Sequence, residues 1–354
     1  MKALILAGGK GTRLRPITYT SSKQLVPVAN KPILFYGLEA VRDAGITDVG
    51  IVVGDTADEI KKAVGDGSKL GIKVTYVHQK APLGLAHAVK VARDFIKNDP
   101  FVMYLGDNLL KHGVGSFVSD FTKGGYDAQI LLAQVSNPSE FGVAELDGER
   151  VIALEEKPKH PKSNYALVGV YLFTDKIFEA IENIKPSGRG ELEITDAIQY
   201  LIDRDFVVNS TIVEGWWKDT GKLEDILDAN HIILRELTTV LASTPDAETE
   251  VHGQVELARN VTVERSVLRG PCIIGEGARI VDSYIGPFTA IGPNTEIVGS
   301  EVENSIILED CRIINIGSRI GSSLMGRNVT VRRSEKPPKS YSFMVGDNSD
   351  IVVT

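Results

Sequence analysis

One repeat in the last third of the chain restricts its fold more than any other feature. Val261, Val267, Ile273, Ile285, Ile291 and Ile297 stand on a beat of six residues, with Arg279 the single break. After a slip, Ile307 and Ile313 take up the beat again. Gly, Pro, Asn and Asp fill the intervals. A sustained period of six with small polar turns is the hexapeptide pattern of a parallel β-helix. Each short strand turns one aliphatic side chain inward, and stacked coils share a core that no coil could bury alone. The repeat is expected over 251–334, after a linker at Ser243-Thr244-Pro245-Asp246-Ala247. Glu335-Lys336-Pro337-Pro338-Lys339 breaks the period, so 335–354 is expected to form a C-terminal tail.

The first two thirds follow other rules. With 354 residues the chain is long enough for a second domain, expected over 1–243. Apolar strand runs at Ala3–Leu6, Val49–Val53, Val74–Val77 and Phe101–Leu105 alternate with helical patterns: one opened by Pro32 and closed by Gly45, one from Asp58 to Val64, one from Leu83 to Ile96. Such alternation predicts an α/β domain with a mainly parallel sheet covered on both faces. From about 127 to 218 strand runs dominate, at Ala128–Val135, Gly142–Leu146, Ala166–Phe173 and Val207–Val213. A long helical pattern, Leu223 to Leu241, closes the domain. Ligands of such sheets sit beyond the carboxyl ends of the strands. The glycine-rich turn after the first strand, Gln79 and Asp107 all fall there, so all three should face one crevice.

That turn, Leu6-Ala7-Gly8-Gly9-Lys10-Gly11-Thr12-Arg13-Leu14-Arg15-Pro16, is built for anions. Glycine lets a ligand approach the amides closely, and a run of bare N–H groups makes an anion-binding concavity. Lys10, Arg13 and Arg15 add positive charge, and the planar fork of an arginine grips two phosphate oxygens at once. A P-loop would close on Gly-Lys-Ser/Thr, whereas Gly11 is followed by Thr12-Arg13. A dinucleotide fingerprint would need glycine where Leu14 stands.

The whole-chain charge of −8 argues against nucleic acid polymers and anionic membranes as partners, so this cationic cluster runs against the general trend. Two cysteines, Cys272 and Cys311, make neither a disulfide framework nor a metal cage, and are expected to be reduced. No signal peptide or membrane-length apolar run is visible, which predicts a cytoplasmic protein.

The phrase Gly8-Gly9-Lys10-Gly11-Thr12-Arg13-Leu14 … Pro16 … Thr18 … Lys23-Gln24-Leu25-Val26-Pro27 … Lys31-Pro32 closely resembles the signature of the sugar-1-phosphate nucleotidylyltransferases, and its Lys-Gln-Leu form is most similar to the thymidylyl-transferring members. The resemblance covers roughly residues 1–240. It implies a Rossmann-like domain, and the longer members of the class carry a left-handed β-helix at the carboxyl end. The implied reaction is Mg2+-dependent transfer from dTTP to glucose-1-phosphate, with UTP use or a non-catalytic regulatory relative as alternatives. A regulatory relative would be expected to have lost Arg13, Lys23, Asp107 or Asp219, and all four are present.

The resemblance also distributes roles. Asp107, in Leu105-Gly106-Asp107-Asn108, and Asp219, in Trp216-Trp217-Lys218-Asp219-Thr220-Gly221, match metal-binding aspartates. Magnesium on one or two carboxylates, completed by bound phosphates, suits the joining of two anions. Arg13 is expected to stabilise charge developing on the departing pyrophosphate, assisted by Lys23. The nucleotide is expected to lie against Leu6, Gly8, Gly9, Gly11, Thr12, Arg13, Gln24, Gln79, Pro82, Gly84 and Asp107. Gln79 can both donate and accept, which matches the imide edge of thymine or uracil. Lys157 in Glu155-Glu156-Lys157-Pro158 is expected to hold the sugar phosphate in line for attack. Glu156 would bind sugar hydroxyls, and Gly142 and Val168 would contact the sugar mainly through backbone. Arg189-Gly190-Glu191-Leu192-Glu193-Ile194-Thr195-Asp196 matches a family block expected to support the sugar side of the cleft. His78 and His87 lie near the base-binding segment and read as packed or solvated rather than catalytic.

An acyl-transferring β-helix usually needs a histidine general base within it. The only histidine past residue 231 is His252, before the repeat begins. The repeat is therefore expected to serve a structural, regulatory or homo-oligomer-forming role.

Overall fold

The computed structural model describes residues 1–148 and 150–334; the expected tail, 335–354, lies outside the described residues. The chain divides into two units that share it unevenly. The first takes Met1–Thr12, Ser21–Val26 and Pro32–Gly221, and the second takes Arg13–Thr20, Pro27–Lys31 and the chain from Lys222 onward.

The first unit is a nine-stranded sheet flanked by helices. Its strands are β1 (Lys2–Ala7), β2 (Asp48–Val53), β3 (Lys73–His78), β4 (Phe101–Leu105), β5 (Ala128–Gln134), β6 (Gly142–Asp147), β7 (Arg150–Glu156), β8 (Tyr165–Phe173) and β9 (Val208–Ile212). They run in the order β7-β6-β8-β4-β1-β2-β3, with β5 also on β8 and β9 on β5. The stretch β4-β1-β2-β3 is parallel, and β8 enters antiparallel to β4. The parallel stretch is the helix-covered sheet that the strand–helix alternation predicts, and the whole is the Rossmann-like domain that the resemblance implies.

Central strands of a sheet covered on both sides must be apolar on both faces. In β1, Leu4 and Leu6 join one core while Ala3, Ile5 and Ala7 join the other. In β4, Phe101 and Met103 divide from Val102 and Tyr104 in the same way. Helix α1 (Ile33–Asp43) starts after Pro32, and Gly45 takes a left-handed φ of +83° just beyond its end. The helix expected over Leu83–Ile96 is two helices, α2 (Leu85–Val91) and α3 (Arg93–Ile96). Gly84, at φ +105°, cannot be helical, and the chain tightens at Ala92.

The second unit carries three sheets of short parallel strands. Their inward residues form one core, and the arrangement is consistent with a left-handed β-helix. Many corners sit at positive φ, mostly on Asn, Asp or Ser, whose side chains tolerate it.

The six-residue beat is right as architecture and slips in register at Val267 and Ile273. Val261 joins the inner cluster as expected, but Val263, Leu268, Ile274 and Ile280 also turn inward there, while Val267 and Ile273 stand outside it. Arg279 is no break, because it is the exposed neighbour of inward Ile280. The physical reason is coil length. A ladder of buried serines, in which Ser283 N–H donates to Ser266 Oγ and Ser300 N–H to Ser283 Oγ, repeats at 17 residues, so one side of these early coils is a residue short of six.

The helix expected over Leu223–Leu241 ends at Leu234. Val240–Leu241 is already a strand, paired in parallel with Val255–Leu257. The β-branched run Thr238-Thr239-Val240 favours that change. The expected linker is thereby part of the first coil: Ser243 Oγ donates to Ala258 O, and Asp246 N–H to Val263 O. Cys272 and Cys311 are buried and form no disulfide; burial pushes the Cys272 thiol up to about 12.

Candidate active site

At the carboxyl ends of β1, β2, β3 and β4 lies a cavity of about 220 Å³. Its wall contains eight of the residues expected to bind nucleotide: Leu6, Gly8, Gly9, Gln24, Gln79, Pro82, Gly84 and Asp107. The crevice expected from strand order therefore exists, and the glycine turn, Gln79 and Asp107 share it.

Close backbone contact explains the glycines. A Cβ on Gly8 would lie 3.4 Å from Gln79 Oε1 and 3.5 Å from Gly54 N. Gly54 and Gly106, not singled out in the sequence, press in from the neighbouring strands: their Cβ atoms would lie 2.9 Å from Gly8 O and 3.0 Å from Leu6 O. Gly11, at φ +61°, and Thr12 follow along the chain, beyond the cavity wall. Arg13 belongs to the second unit, in the segment where the Arg15 guanidinium lies 4.7 Å from the centre of the Tyr19 ring.

Asp107 is the electrostatic centre. Burial works to raise its pKa, but the Lys23 ammonium bonded to Oδ2 and the Asn108 amide on Oδ1 more than offset that, holding the carboxyl below its ordinary value. Asn108, which sequence reasoning passed over, is the bracket. It is buried, and its Oδ1 accepts from Trp217 Nε1 at 2.6 Å and from Gly169 N–H at 3.3 Å. A Cβ on Gly169 would strike it at 2.8 Å. The same contact ties in Asp219, because Trp217–Asp219 pairs antiparallel with Asn108–Leu110, and Asp219 is Asn108's partner. Thr220 completes the join, donating from N and Oγ1 to Asp107 O at 3.1 and 2.7 Å.

These are hard oxygen donors, and one of them already holds a cation, the Lys23 ammonium. Among the described residues no cluster of three His, Cys, Asp or Glu could cage a metal. Asp107 lines the cavity, whereas Asp219 is tied to it through the strand pairing and is not part of the cavity wall.

Glu156, Lys157 and Gly142 lie together where β6 pairs β7. A Cβ on Gly142 would meet Thr195 Cγ2 at 2.7 Å and Glu156 Oε2 at 3.2 Å. Burial raises the Glu156 pKa; Lys157 opposes this and Glu193 adds to it. Arg189 reaches Glu156 Oε1 at 3.3 Å and Glu193 Oε2 at 2.8 Å. Lys157 is exposed, with its backbone at φ +47°. The Val168 side chain packs in the core, so any ligand role falls to its backbone. It stands at a register shift of β8 on β5, between Leu167 and Tyr171. Glu191, from the block expected on the sugar side, instead joins the wall of the cavity at the sheet edge.

The nucleotidyl transferase family model matches residues 2–236. A glucose-1-phosphate thymidylyltransferase of Streptomyces antibioticus is 55% identical, covering 100% of this chain and 99% of its own. One of Streptomyces griseus is 52% identical, covering 99% and 98%. A solved UDP-glucose pyrophosphorylase complexed with UDP-glucose superposes with a TM-score of 0.60 at 27% identity, over 66% of this chain and 98% of that one. Among the described residues no helix is long and apolar enough to cross a membrane. The glycine turn, the aspartate at the end of β4 and these matches agree: the chain belongs to the nucleotidyl transferase family, among the sugar-1-phosphate nucleotidyltransferases.

Proposed function

We propose that the chain transfers a thymidylyl group from dTTP to glucose-1-phosphate, giving dTDP-glucose and pyrophosphate. The observation that carries this reading is the cavity itself, which gathers bare amides, an amide side chain and a carboxylate–ammonium pair at one sheet edge. Strong relatives named for that reaction support it.

In this reading the triphosphate lies along Gly8, Gly9, Gly11 and Thr12, with the base toward Gln79, Pro82 and Gly84 and the nucleoside near Leu6 and Gln24. Lys157 holds the sugar phosphate, Glu156 accepts from sugar hydroxyls, and the backbone of Gly142 and Val168 completes that side. A phosphate oxygen of the sugar attacks the α-phosphorus in line as the bond to the β-phosphate breaks. No covalent enzyme intermediate is needed. Arg13 and Lys23 stabilise the charge that gathers on pyrophosphate as it leaves, a stabilisation worth most in a site sheltered from water. Asp107 and Asp219 would hold Mg2+, whose charge would offset the repulsion between the two substrates. The same reading makes 1–243 the catalytic domain, 251–334 a β-helix that supports a homo-oligomer, and the protein cytoplasmic, with neither nucleic acid polymer nor membrane as partner.

The test is pyrophosphate release from purified protein, Mg2+, glucose-1-phosphate and each of dTTP, UTP, ATP, GTP and CTP. The expected order is dTTP first and UTP second, since one methyl in an apolar pocket discriminates by only about 1–3 kcal/mol. A preference for ATP or GTP would overturn the base assignment. Asp107→Asn is expected to abolish turnover with the fold intact by circular dichroism; near-normal activity would remove Asp107 from the metal site.

A further inference from the structure

His87, the third residue of α2 and next to buried Ala86, touches the base-reading amide. Gln79 Nε2 lies 3.3 Å from Gly84 O and 2.9 Å from His87 Nδ1. A carbonyl oxygen only accepts, so the atom facing Gly84 O must be the amide nitrogen. That nitrogen only donates, so His87 Nδ1 must accept, and the imidazole carries its proton on Nε2. With both amide hydrogens of Gln79 committed, Oε1 is the pole left for the cavity, beside Gly8.

We propose that His87 is a positioning residue that fixes base choice: it holds Gln79 as a hydrogen-bond acceptor only, so that the cavity takes nucleotides whose base offers a ring N–H to that oxygen. The inference rests on the reading of Gln79 as base reader and sharpens it. An unrestrained glutamine could donate or accept, as the sequence suggests; this one can only accept. The imide N3–H of thymine and uracil supplies the matching donor, and cytosine offers a bare N3 there. Burial, and secondarily the nearby Lys90 charge, lowers the His87 pKa, which favours the neutral ring that this role requires.

The experiment compares dTTP, UTP and dCTP with the full-length wild type, His87→Ala, His87→Asn and Gln79→Ala, measuring kcat and KM for each at saturating glucose-1-phosphate. His87 is only partly buried, so neither substitution there is expected to unfold the chain. In His87→Ala the amide keeps only its longer bond to Gly84 O, at 3.3 Å, and is held less firmly. KM for dTTP should rise about fivefold with kcat little changed, and the dTTP/dCTP ratio of kcat/KM should fall about tenfold, the scale of one misplaced hydrogen bond. His87→Asn places an acceptor oxygen where Nδ1 stood and should restore most of both. A wild-type ratio in His87→Ala, beside a collapsed ratio in Gln79→Ala, overturns the role of His87 and leaves Gln79 as base reader. A wild-type ratio in both variants overturns the role of Gln79, and the inference with it.

Discussion

Gly84 shows what a single missing side chain does for this site. Its φ of +105° excludes ordinary side chains, and a Cβ would sit 2.3 Å from Leu192 O, well inside contact distance. The tightness has a source: Leu192 N–H donates to Leu83 O at 2.8 Å and Ala86 N–H to Leu192 O at 3.1 Å, so the turn before α2 is laced to the 187–193 segment. Gly84→Ala must therefore strain the backbone and spread that lacing. The expected cost is about 2–4 kcal/mol in urea unfolding, with a raised KM for dTTP. Gly65→Ala is the control, because φ is +64° there but nothing lies within 4 Å, so only backbone strain of about 1–3 kcal/mol is expected, with no change in KM for dTTP. Glycines, and an aspartate after a buried strand, announce themselves in sequence because few other residues can do their work. The Gln79–His87 bond does not, since it depends on where the helix begins. Asn108 stayed hidden for a similar reason: its partners, Trp217 and Gly169, are remote in sequence.

The strands of the β-helix carry a different lesson. Periodicity identified the architecture because one aliphatic side chain per side is a physical requirement of stacked coils. It misplaced the inward set because a coil of 17 residues is not a multiple of six, and Val267 and Ile273 are as apolar as the neighbours that replace them. A pair of substitutions separates the two registers. Ile280 is fully buried and Arg279 faces solvent, paired with Glu296 at 2.9 Å. Ile280→Ala is expected to cost about 2–5 kcal/mol in denaturant unfolding, as large-to-small changes in packed cores do. Arg279→Ala should change stability by less than about 1 kcal/mol, since exposed ion pairs contribute little. The opposite ranking would restore a fixed beat of six. The overlong helix of the sequence reading has the same kind of cause, because α4 (Leu223–Leu234) and the strand at Val240 are both apolar and only the β-branched run between them marks the change.

The division of the whole chain is least visible in sequence, because it rests on contacts between residues more than two hundred positions apart. The segment Pro27–Lys31 belongs to the β-helix unit, although it continues directly from Lys23–Val26. Within that unit Ala29 N–H donates to Asn230 Oδ1 at 2.9 Å, Asn230 Nδ2 donates to Phe288 O at 3.0 Å, and Asn30 Nδ2 donates to Ile291 O at 2.7 Å. Asn230 is fully buried with both ends of its amide in use, a hub joining an N-terminal loop, α4 and a coil corner. Phe288 occupies a left-handed corner, φ +59°, that is costly for a bulky residue, and the His231 ring stacks on it at 4.2 Å. Asn230→Ala would take the partner from the half-buried Ala29 N–H and Phe288 C=O at once. The expected loss is about 2–4 kcal/mol in thermal or urea unfolding. Because the freed loop leads straight from Lys23, turnover should fall several-fold even under conditions where the variant remains folded. Asn230→Asp keeps the acceptor for Ala29 but sets a carboxylate oxygen against Phe288 O, so it should fare no better than alanine. Full activity in a folded Asn230→Ala variant would mean that this hub serves stability alone and that the loop after Lys23 holds its shape without it.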